Sequence, residues 1–221
     1  MFMNVSDAVK TRMSVRAFKP DLVPAKTVRG LLEAASRAPS GGNLQPWTVV
    51  AMAGEPMAAL KAYVAANPDG EPPEYSVYPP DLWEPLRTRR FQVGEDLYAT
   101  LNIAREDKPA RRGQFARNGQ LFGAPVGVFF CLDRRCGSPQ WADLGMFMQT
   151  FMLLAVEQGL ATCPQEWWSS YPLTLAERLG LDDNHMVFAG MALGYAEESA
   201  PINGMRSRRD PFDVWGKLVG F

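Results

Sequence analysis

The amino-acid sequence predicts one domain of mixed α and β structure, and three observations predict it. Apolar side chains repeat at helical spacing in segments near the start of the chain. Three apolar strand candidates are separated by long stretches of other structure. A helix over residues 139–158 carries apolar side chains around nearly its whole circumference, as helices do in a large core or at an interface. A length of 221 residues is ordinary for a single domain.

The first part of the chain predicts three helices and one strand. Ser6 and Asp7 are suited to cap a first helix that ends near Met13. A second helix has an apolar stripe at the i, i+3, i+4 and i+7 positions, formed by Val28, Leu31, Leu32 and Ala35. A buried strand over 48–52 and an amphipathic helix over 56–66 follow.

Residues 67–82 hold five prolines and two tyrosines. This composition suits a linker, but the tyrosines favour an ordered excursion over the surface. We place no domain boundary here, because the residues before it would make a thin core alone. A helix over 83–103 is predicted next.

Two more strands are predicted in the second half of the chain. Residues 126–132 form a continuous apolar run, which is typical of a strand buried on both faces. Residues 186–195 form the last strand, and Gly190 and Gly194 within it indicate close approach of other groups to the backbone.

Charge and composition exclude several classes of protein. Hydrophobic residues make up 47% and the formal net charge is −1, so a large core is expected and a nucleic-acid partner is not. The three cysteines have no CxxC spacing, which predicts neither a disulfide framework nor a zinc site. The N-terminus lacks a secretory signal pattern, and the apolar stretch at 145–156 is too short to cross a bilayer. We therefore expect a soluble, cytoplasmic protein without a metal.

The residues needed for several common catalytic designs are missing. His185 is the only histidine, so the sequence offers no base beside a serine or cysteine nucleophile. HExxH, GxxxxGK[ST] and GxGxxG are also absent. If the protein is an enzyme, a bound organic cofactor would supply the reactive atoms.

Two segments offer groups for such a cofactor. In extended backbone, Arg12, Ser14 and Arg16 point to one side, and two guanidinium groups beside a hydroxyl suit a phosphate monoester. The alternative is that Arg12 complements the end of the first helix and Arg16 is solvated. The second segment is RAPSGGNLQPW at residues 37–47, whose glycines and polar side chains suit contact with the edge of a planar heterocycle. The alternative is that this segment only ends a helix and forms a turn.

The order of motifs along the chain resembles that of the FMN-dependent nitroreductase family. The matching segments are RMSVRAF at 12–18, APSGGNLQPW at 38–47, GAP at 123–125, GLATCP at 159–164 and RSRRDP at 206–211, with Asp143 and Gln149 in the central helix. The resemblance implies an α+β nitroreductase-like fold, with a central, mostly antiparallel sheet flanked by helices and a long buried core helix. It also implies an intertwined homodimer.

The resemblance implies a set of flavin-binding residues. The FMN phosphate and ribityl chain would be held by Arg12, Met13 (through its backbone), Ser14, Arg16, Arg209 and either Arg206 or Arg208. Gln149 and one of Asn118 and Gln120 would also contact FMN, and Pro164, Gln165 and Glu166 would lie against the ring. Pro39, Ser40, Gly41 and Asn43 would reach the flavin of the other subunit, with Trp47 anchoring their turn in the core. Trp167 and Trp168 would shape the substrate pocket, or alternatively pack in the core or dimer interface.

The resemblance also implies a function. FMN N5, not a side chain, would carry hydride from NADH or NADPH to a nitroaromatic or quinone-like acceptor by a ping-pong mechanism. The alternatives are flavin or enone reduction, an oxygen-driven dehydrogenase, and a flavin-binding protein without turnover. Residues 67–112 would cap the substrate channel. The candidates for binding the 2′-phosphate of NADPH are Arg87, Arg89, Arg90, Arg105, Arg111 and Arg112.

Overall fold

A computed structural model describes residues 3–221 as a four-stranded sheet flanked by helices. The helices are α1 Val5–Thr11, α2 Ala25–Ala35, α3 Gly54–Ala66, α4 Leu86–Thr100, α5 Lys108–Ala116, α6 Ser138–Glu157, α7 Pro172–Leu179 and α8 Phe212–Trp215. The strands are β1 Thr48–Ala53, β2 Val126–Asp133, β3 Ala161–Gln165 and β4 His185–Gly194.

The sheet has the order β1-β2-β4-β3, and each neighbouring pair is antiparallel. The predicted fold class, α+β with a central antiparallel sheet and a long core helix, is therefore confirmed. The homodimer stays a prediction. Among residues 3–221, no helix combines the length and the apolar character needed to cross a membrane.

The sequence of strand β2 is apolar throughout because both of its faces are buried. Val128 and Phe130 face a core formed with α2 and α6, whereas Phe129 and Cys131 face a second core formed with α3. Successive side chains of a strand point to opposite faces, so a strand covered on both faces needs apolar residues at every position. Helix α6 lies on the first face and buries residues such as Phe147 there.

The first helix differs from the prediction at both ends. Its N-cap is Asn4, whose side chain accepts a hydrogen bond from the backbone N–H of Asp7 at 2.9 Å. The predicted cap at Ser6 and Asp7 was wrong, because both residues lie inside the first turn of a helix that begins at Val5. The helix ends at Thr11 because Arg12, with ψ of 129°, already has extended backbone.

Strand β3 and three helices, α5, α7 and α8, were not predicted. Pro164 lies inside β3 and lacks the N–H of a ladder residue, which argues against a strand in the sequence. The strand forms at the sheet edge, where β4 is its one neighbouring strand and a single bridge, from Ser14 to Thr162, lies on its other side.

Both predicted close approaches on β4 are confirmed. A Cβ on Gly190 would lie 2.4 Å from Cδ1 of Trp168, and one on Gly194 would lie 2.8 Å from Cδ of Pro125. Real Cβ atoms do not approach other atoms so closely, so both positions need glycine. The Trp168 ring therefore packs directly on the sheet backbone.

The proline-rich excursion is bound to the domain at three places. The Glu71 carboxylate accepts a hydrogen bond from the backbone N–H of Leu173 at 2.7 Å, at the start of α7. Glu74 forms an ion pair with Arg134. The Tyr75 hydroxyl donates to a backbone carbonyl of β4. The excursion is therefore ordered structure and not a linker.

Candidate functional site

Residues 12–18 run in extended conformation beside the sheet edge. Ser14 forms a β-bridge with Thr162 of β3, and the Val15 N–H donates to the Thr162 carbonyl at 3.0 Å. Val15 and Ala17 are buried, whereas Ser14 and the arginines on either side of it are partly exposed. The predicted alternation therefore holds from Ser14 to Ala17, whereas Met13 is half-buried like the arginines.

A cavity of about 580 Å³, here called the basic cavity, lies above this segment. Five basic side chains line it, and no acidic one does: Lys10, Arg12, Arg16, Arg206 and Arg209. Its other lining residues are Val9, Met13, Ser14, Val93, Gln149, Met205 and Ser207. The net charge of the whole chain is only −1, so these basic side chains form a local concentration of positive charge. The basic cavity is therefore suited to an anion.

The arginines of the basic cavity affect one another. Burial lowers the pKa of Arg12, and the nearby positive charges of Arg209 and Arg206 lower it further. The Arg206 Nη1 donates to the Arg12 carbonyl at 3.3 Å, whereas Arg208 points elsewhere and its Nε lies 3.6 Å from Asp96 Oδ2. Arg206 and not Arg208 therefore lies with Arg12 and Arg209.

Two residues of this region were missed by sequence reasoning. Lys10 lines the basic cavity and lies two positions before Arg12. The run of basic residues in KTRMSVR at 10–16 was the sequence signal that could have identified it. Asn203 holds the segment in place: its Oδ1 accepts from the Arg16 N–H and its Nδ2 donates to the Ala17 carbonyl, both at 2.8 Å. The Arg16 contact spans 187 residues, and nothing in the sequence indicated it.

A larger cavity, here called the wide cavity, has a volume of about 1010 Å³. Pro164, Gln165, Glu166 and Trp167 line one side of it. The excursion, α4 and α5 contribute the other side, through residues that include Val77, Tyr78, Leu82, Arg87, Arg90, Phe91, Tyr98, Arg111 and Phe115. Arg16 and Val93 line both this cavity and the basic cavity, so the two meet.

The side-chain amide of Gln165 uses its nitrogen but not its oxygen in hydrogen bonds within the described residues. Its Nε2 donates to the carbonyl and to the Oδ1 of Asn118, at 2.9 and 3.0 Å. Its buried Oε1 accepts no hydrogen bond from residues 3–221. Asn118 also lines the wide cavity, whereas the Gln120 Nε2 donates to the Lys61 carbonyl at 3.2 Å. Of the two alternatives, the structure brings Asn118 and not Gln120 to the cavity. Buried polar atoms are normally paired, so this oxygen keeps an unused acceptor.

The next three residues have different environments. Glu166 lines the wide cavity, and burial raises the pKa of its carboxyl. Trp167 also lines this cavity. Trp168 does not: it is fully buried and packs edge-to-face on Phe129, with ring centroids 5.4 Å apart. Of the two alternatives for Trp168, the structure shows core packing, and its side chain lines neither cavity.

The turn at 39–43 lies away from both cavities within one chain. Neither cavity is lined by Pro39, Ser40, Gly41 or Asn43. The Gly41 N–H donates to the buried carboxylate of Asp143 in α6, at 3.3 Å to each oxygen. Trp47 packs on Phe147 of α6 with ring centroids 5.0 Å apart, as expected of an anchor.

His185 lines neither the basic cavity nor the wide cavity. His185 Nδ1 lies 2.6 Å from an Asp182 oxygen, and its Nε2 lies 3.2 Å from the Thr48 hydroxyl. These contacts tie the starts of β4 and β1 together. Within residues 3–221, no group of three histidine, cysteine, aspartate or glutamate side chains is placed to hold a metal ion.

The chain is similar to known proteins along nearly its whole length. The model of the Nitroreductase family matches residues 9–195. A crystal structure of the FMN and NADPH-dependent nitroreductase NfnB from Sphigopyxis sp. strain HMH is 46% identical, with a TM-score of 0.96, covering 99% of this chain and 100% of that one. A structure of the FMN-dependent nitroreductase NfnB from Mycobacterium smegmatis in complex with NADPH is 30% identical, with a TM-score of 0.91, covering 97% of each chain. Nitrobenzene nitroreductase of Ectopseudomonas oleovorans is 40% identical over 206 residues, 91% of this chain and 90% of that protein.

Proposed function

Because the chain belongs to the nitroreductase family, we propose that it is an FMN-dependent oxidoreductase that uses NAD(P)H to reduce nitroaromatic or quinone-like acceptors. FMN, NADPH and nitrobenzene appear in the names of the relatives compared above. The observation in this chain that carries the proposal is the basic cavity, with five cationic side chains and no acidic one.

The basic cavity fits the phosphate end of FMN. A phosphate monoester is a compact dianion that pairs best with guanidinium groups, and it would relieve the mutual repulsion that, after burial, lowers the pKa of Arg12. We assign the phosphate and ribityl chain to the side chains of Lys10, Arg12, Ser14, Arg16, Gln149, Arg206 and Arg209, together with the backbone of Met13.

The wide cavity fits the ring system. The pyrimidine edge of a flavin carries an N–H between two carbonyls, and the free Oε1 of Gln165 is an acceptor for such a donor. Pro164 and Glu166 would lie along the ring, and Asn118 fixes the orientation of Gln165. When bound, FMN would supply the redox chemistry, taking hydride at N5 from the nicotinamide and passing the reducing equivalents to the acceptor in a ping-pong sequence.

We propose that the active form is a homodimer in which the turn at 39–43 completes the site of the partner subunit. In one chain, Pro39, Ser40, Gly41 and Asn43 are remote from both cavities although Asp143 holds the turn in a defined position. Large apolar side chains are exposed on α1 and near the C-terminus, including Val5, Val9, Trp215, Leu218 and Val219. A second copy of the chain would cover such residues.

We propose that residues 67–112 select the acceptor. They form the side of the wide cavity that faces 164–167, with aromatic, aliphatic and arginine side chains. Electron-poor rings stack well on aromatic side chains, and the open volume of about 1010 Å³ suits more than one acceptor. Flavin or enone reduction and an oxygen-driven reaction remain the alternatives for this site.

The cytoplasm is the compartment that we propose. All three cysteines, Cys131, Cys136 and Cys163, are free thiols in the structure. Free thiols persist in a reducing compartment, which supports this location. Fractionation of cells that produce the protein, followed by immunodetection, tests it.

The test of the function is spectroscopic. The purified protein should be yellow, release FMN on denaturation, and oxidise NADPH or NADH when nitrobenzene is added. A colourless protein that does not take up FMN would contradict the proposal. Bound FMN that neither NADPH nor NADH reduces would favour a flavin-binding protein without turnover.

A further inference from the structure

We propose that the carboxyl group of Glu166 is the proton donor to the acceptor in the wide cavity. This inference rests on the proposed function, because it adds a proton transfer to the hydride transfer of the same site. Reduction of a nitroarene to a nitrosoarene takes one hydride, which NAD(P)H supplies through FMN, and one proton. One N–O bond of the nitro group breaks, and its oxygen leaves as water. The O–H bond of Glu166 breaks to supply the proton, and the carboxylate then takes a proton from solvent.

Few side chains of the wide cavity can supply this proton. No histidine, lysine or cysteine is among the residues that line it. Its carboxyl and phenol groups belong to Asp81, Glu95, Glu166, Tyr78 and Tyr98. Arg111 donates to both carboxylate oxygens of Glu95, at 2.7 and 3.1 Å, and these hydrogen bonds lower the pKa of Glu95. Glu95 therefore stays ionised near neutral pH. Asp81 belongs to the excursion, across the cavity from residues 164–167.

The charged form of Glu166 has no cationic partner within residues 3–221. The arginines that line the wide cavity with it are Arg16, Arg87, Arg90 and Arg111. Neighbouring groups partly cover the Glu166 carboxyl, and this burial raises its pKa above the ordinary value of 4.5. Burial also raises the pKa of Tyr75 to about 12, and the nearby Glu166 carboxylate contributes to that rise. Glu166 therefore keeps its proton to higher pH than an ordinary glutamate, as a general acid must. The residue also keeps an exposed surface, through which solvent can return the proton.

The backbone on both sides of Glu166 is held in place. Gln165 pairs with Gly190 of β4 in the sheet. Trp168 is fully buried, and Trp167 packs edge-to-face on it with ring centroids 5.2 Å apart. Glu166 therefore has a defined position between a residue of the sheet and a tryptophan of the cavity wall. A general acid needs such positioning, because it must lie within hydrogen-bond reach of the group that it protonates.

The two half-reactions of the FMN-loaded protein separate a proton donor from a residue that only positions FMN. Hydride transfer from NADPH takes no proton from the protein, whereas oxidation by nitrobenzene does. Glu166→Gln should therefore slow oxidation by nitrobenzene about 100- to 10,000-fold more than it slows reduction by NADPH. Glu166→Asp keeps a proton donor and should recover part of the rate. Glu177→Gln, on the exposed side of α7 and outside both cavities, is the matched control and should change neither half-reaction.

The pH dependence of the second half-reaction gives an independent signature. A general acid acts only while it is protonated, so oxidation by nitrobenzene should slow as the pH rises through the pKa of Glu166. The residual rate of Glu166→Gln should not change over the same pH range. Tyr78→Phe tests the phenol that also lines the cavity. Loss of the pH-dependent step in Tyr78→Phe, with none in Glu166→Gln, would overturn the inference and assign the proton to Tyr78.

Infrared spectroscopy of the protein during a pH titration gives a readout that does not depend on turnover. The C=O stretch of the protonated Glu166 carboxyl should persist above pH 4.5 and be missing from Glu166→Gln. A Glu166 carboxyl that loses its proton at or below pH 4.5 would overturn the inference. Equal slowing of both half-reactions in Glu166→Gln would also overturn it, since Glu166 would then act by positioning FMN. If neither NADPH nor NADH reduces the flavin, the proposed function fails, and the infrared titration still decides whether Glu166 holds its proton.

Discussion

The buried carboxylate of Asp143 accepts a hydrogen bond from the backbone N–H of Gly41, a residue 102 positions earlier in the chain. The bond joins the turn after α2 to the core helix α6, which also carries Gln149 at the basic cavity. It therefore fixes the turn relative to the helix, although the turn is exposed.

The first prediction concerns this bond. Asp143→Ala should lower the free energy of unfolding by about 1–3 kcal/mol, because it removes the charged acceptor that joins the Gly41 N–H to α6. Asp143→Asn keeps an acceptor oxygen and should lose less. Urea unfolding at fixed protein concentration measures both. Equal stability of wild type and Asp143→Ala would show that the bond contributes nothing.

The second prediction concerns FMN retention. Arg12→Ala and Arg206→Ala should each weaken FMN binding about 10- to 100-fold, since each removes a charge-assisted contact from the basic cavity. Arg208→Ala should retain FMN, because Arg208 lies outside that cavity. Quenching of FMN fluorescence on titration with the apoprotein gives the dissociation constants. A loss of FMN in Arg208→Ala, with none in Arg206→Ala, would reverse our assignment of these two arginines.

These arginines also show how far the sequence could predict the site. The alternation of Arg12, Ser14 and Arg16 was predictable because extended backbone fixes the side on which each residue lies. The choice between Arg206 and Arg208 was not, because it depends on how the chain after Asn203 returns to the first segment. That return is a long-range contact with no local signal.

Long-range contacts also limited how much of the fold the sequence could predict. Strand β2 was predictable because a run buried on both faces must be apolar throughout. Strand β3 was not, because Pro164 argues against a strand unless its position at the sheet edge is known. The position of Trp168 could not be predicted either. An aromatic residue beside predicted site residues can line a cavity or enter the core, and only the three-dimensional packing separates these outcomes.

The third prediction tests the packing of that tryptophan. Gly190→Ala would place a Cβ 2.4 Å from the Trp168 ring, and should lower the free energy of unfolding by about 1–3 kcal/mol through overpacking. Gly30→Ala is the matched control, since Gly30 lies in α2 and a Cβ there has no neighbour within 4 Å. It should raise stability by up to ~1 kcal/mol, because alanine favours helix. Thermal and urea unfolding compare the two. A Gly190→Ala protein as stable as Gly30→Ala would contradict the close packing.

The fourth prediction concerns the free thiols. Burial raises the pKa of Cys131 to about 12 and that of Cys163 to about 11, whereas Cys136 is only half-buried. Because the thiolate is the reactive form, a thiol reagent at pH 8 should modify Cys136 first. The other two thiols should react only on unfolding. The Cys136→Ser variant should lose the fast phase, and three equal rates in the native protein would contradict the prediction.

The raised pKa of Cys163 also predicts how stability depends on pH. Its folded-state pKa of about 11 lies above the ordinary value of 9.0, so the folded protein holds this proton more tightly than the unfolded chain. The resulting stabilisation is fully present below pH 9 and is lost as the pH rises through about 11. Cys163→Ala removes the titrating group, so its unfolding free energy should fall less than that of wild type between pH 9 and pH 11. Parallel pH dependences in urea unfolding would show that the thiol is not the group responsible.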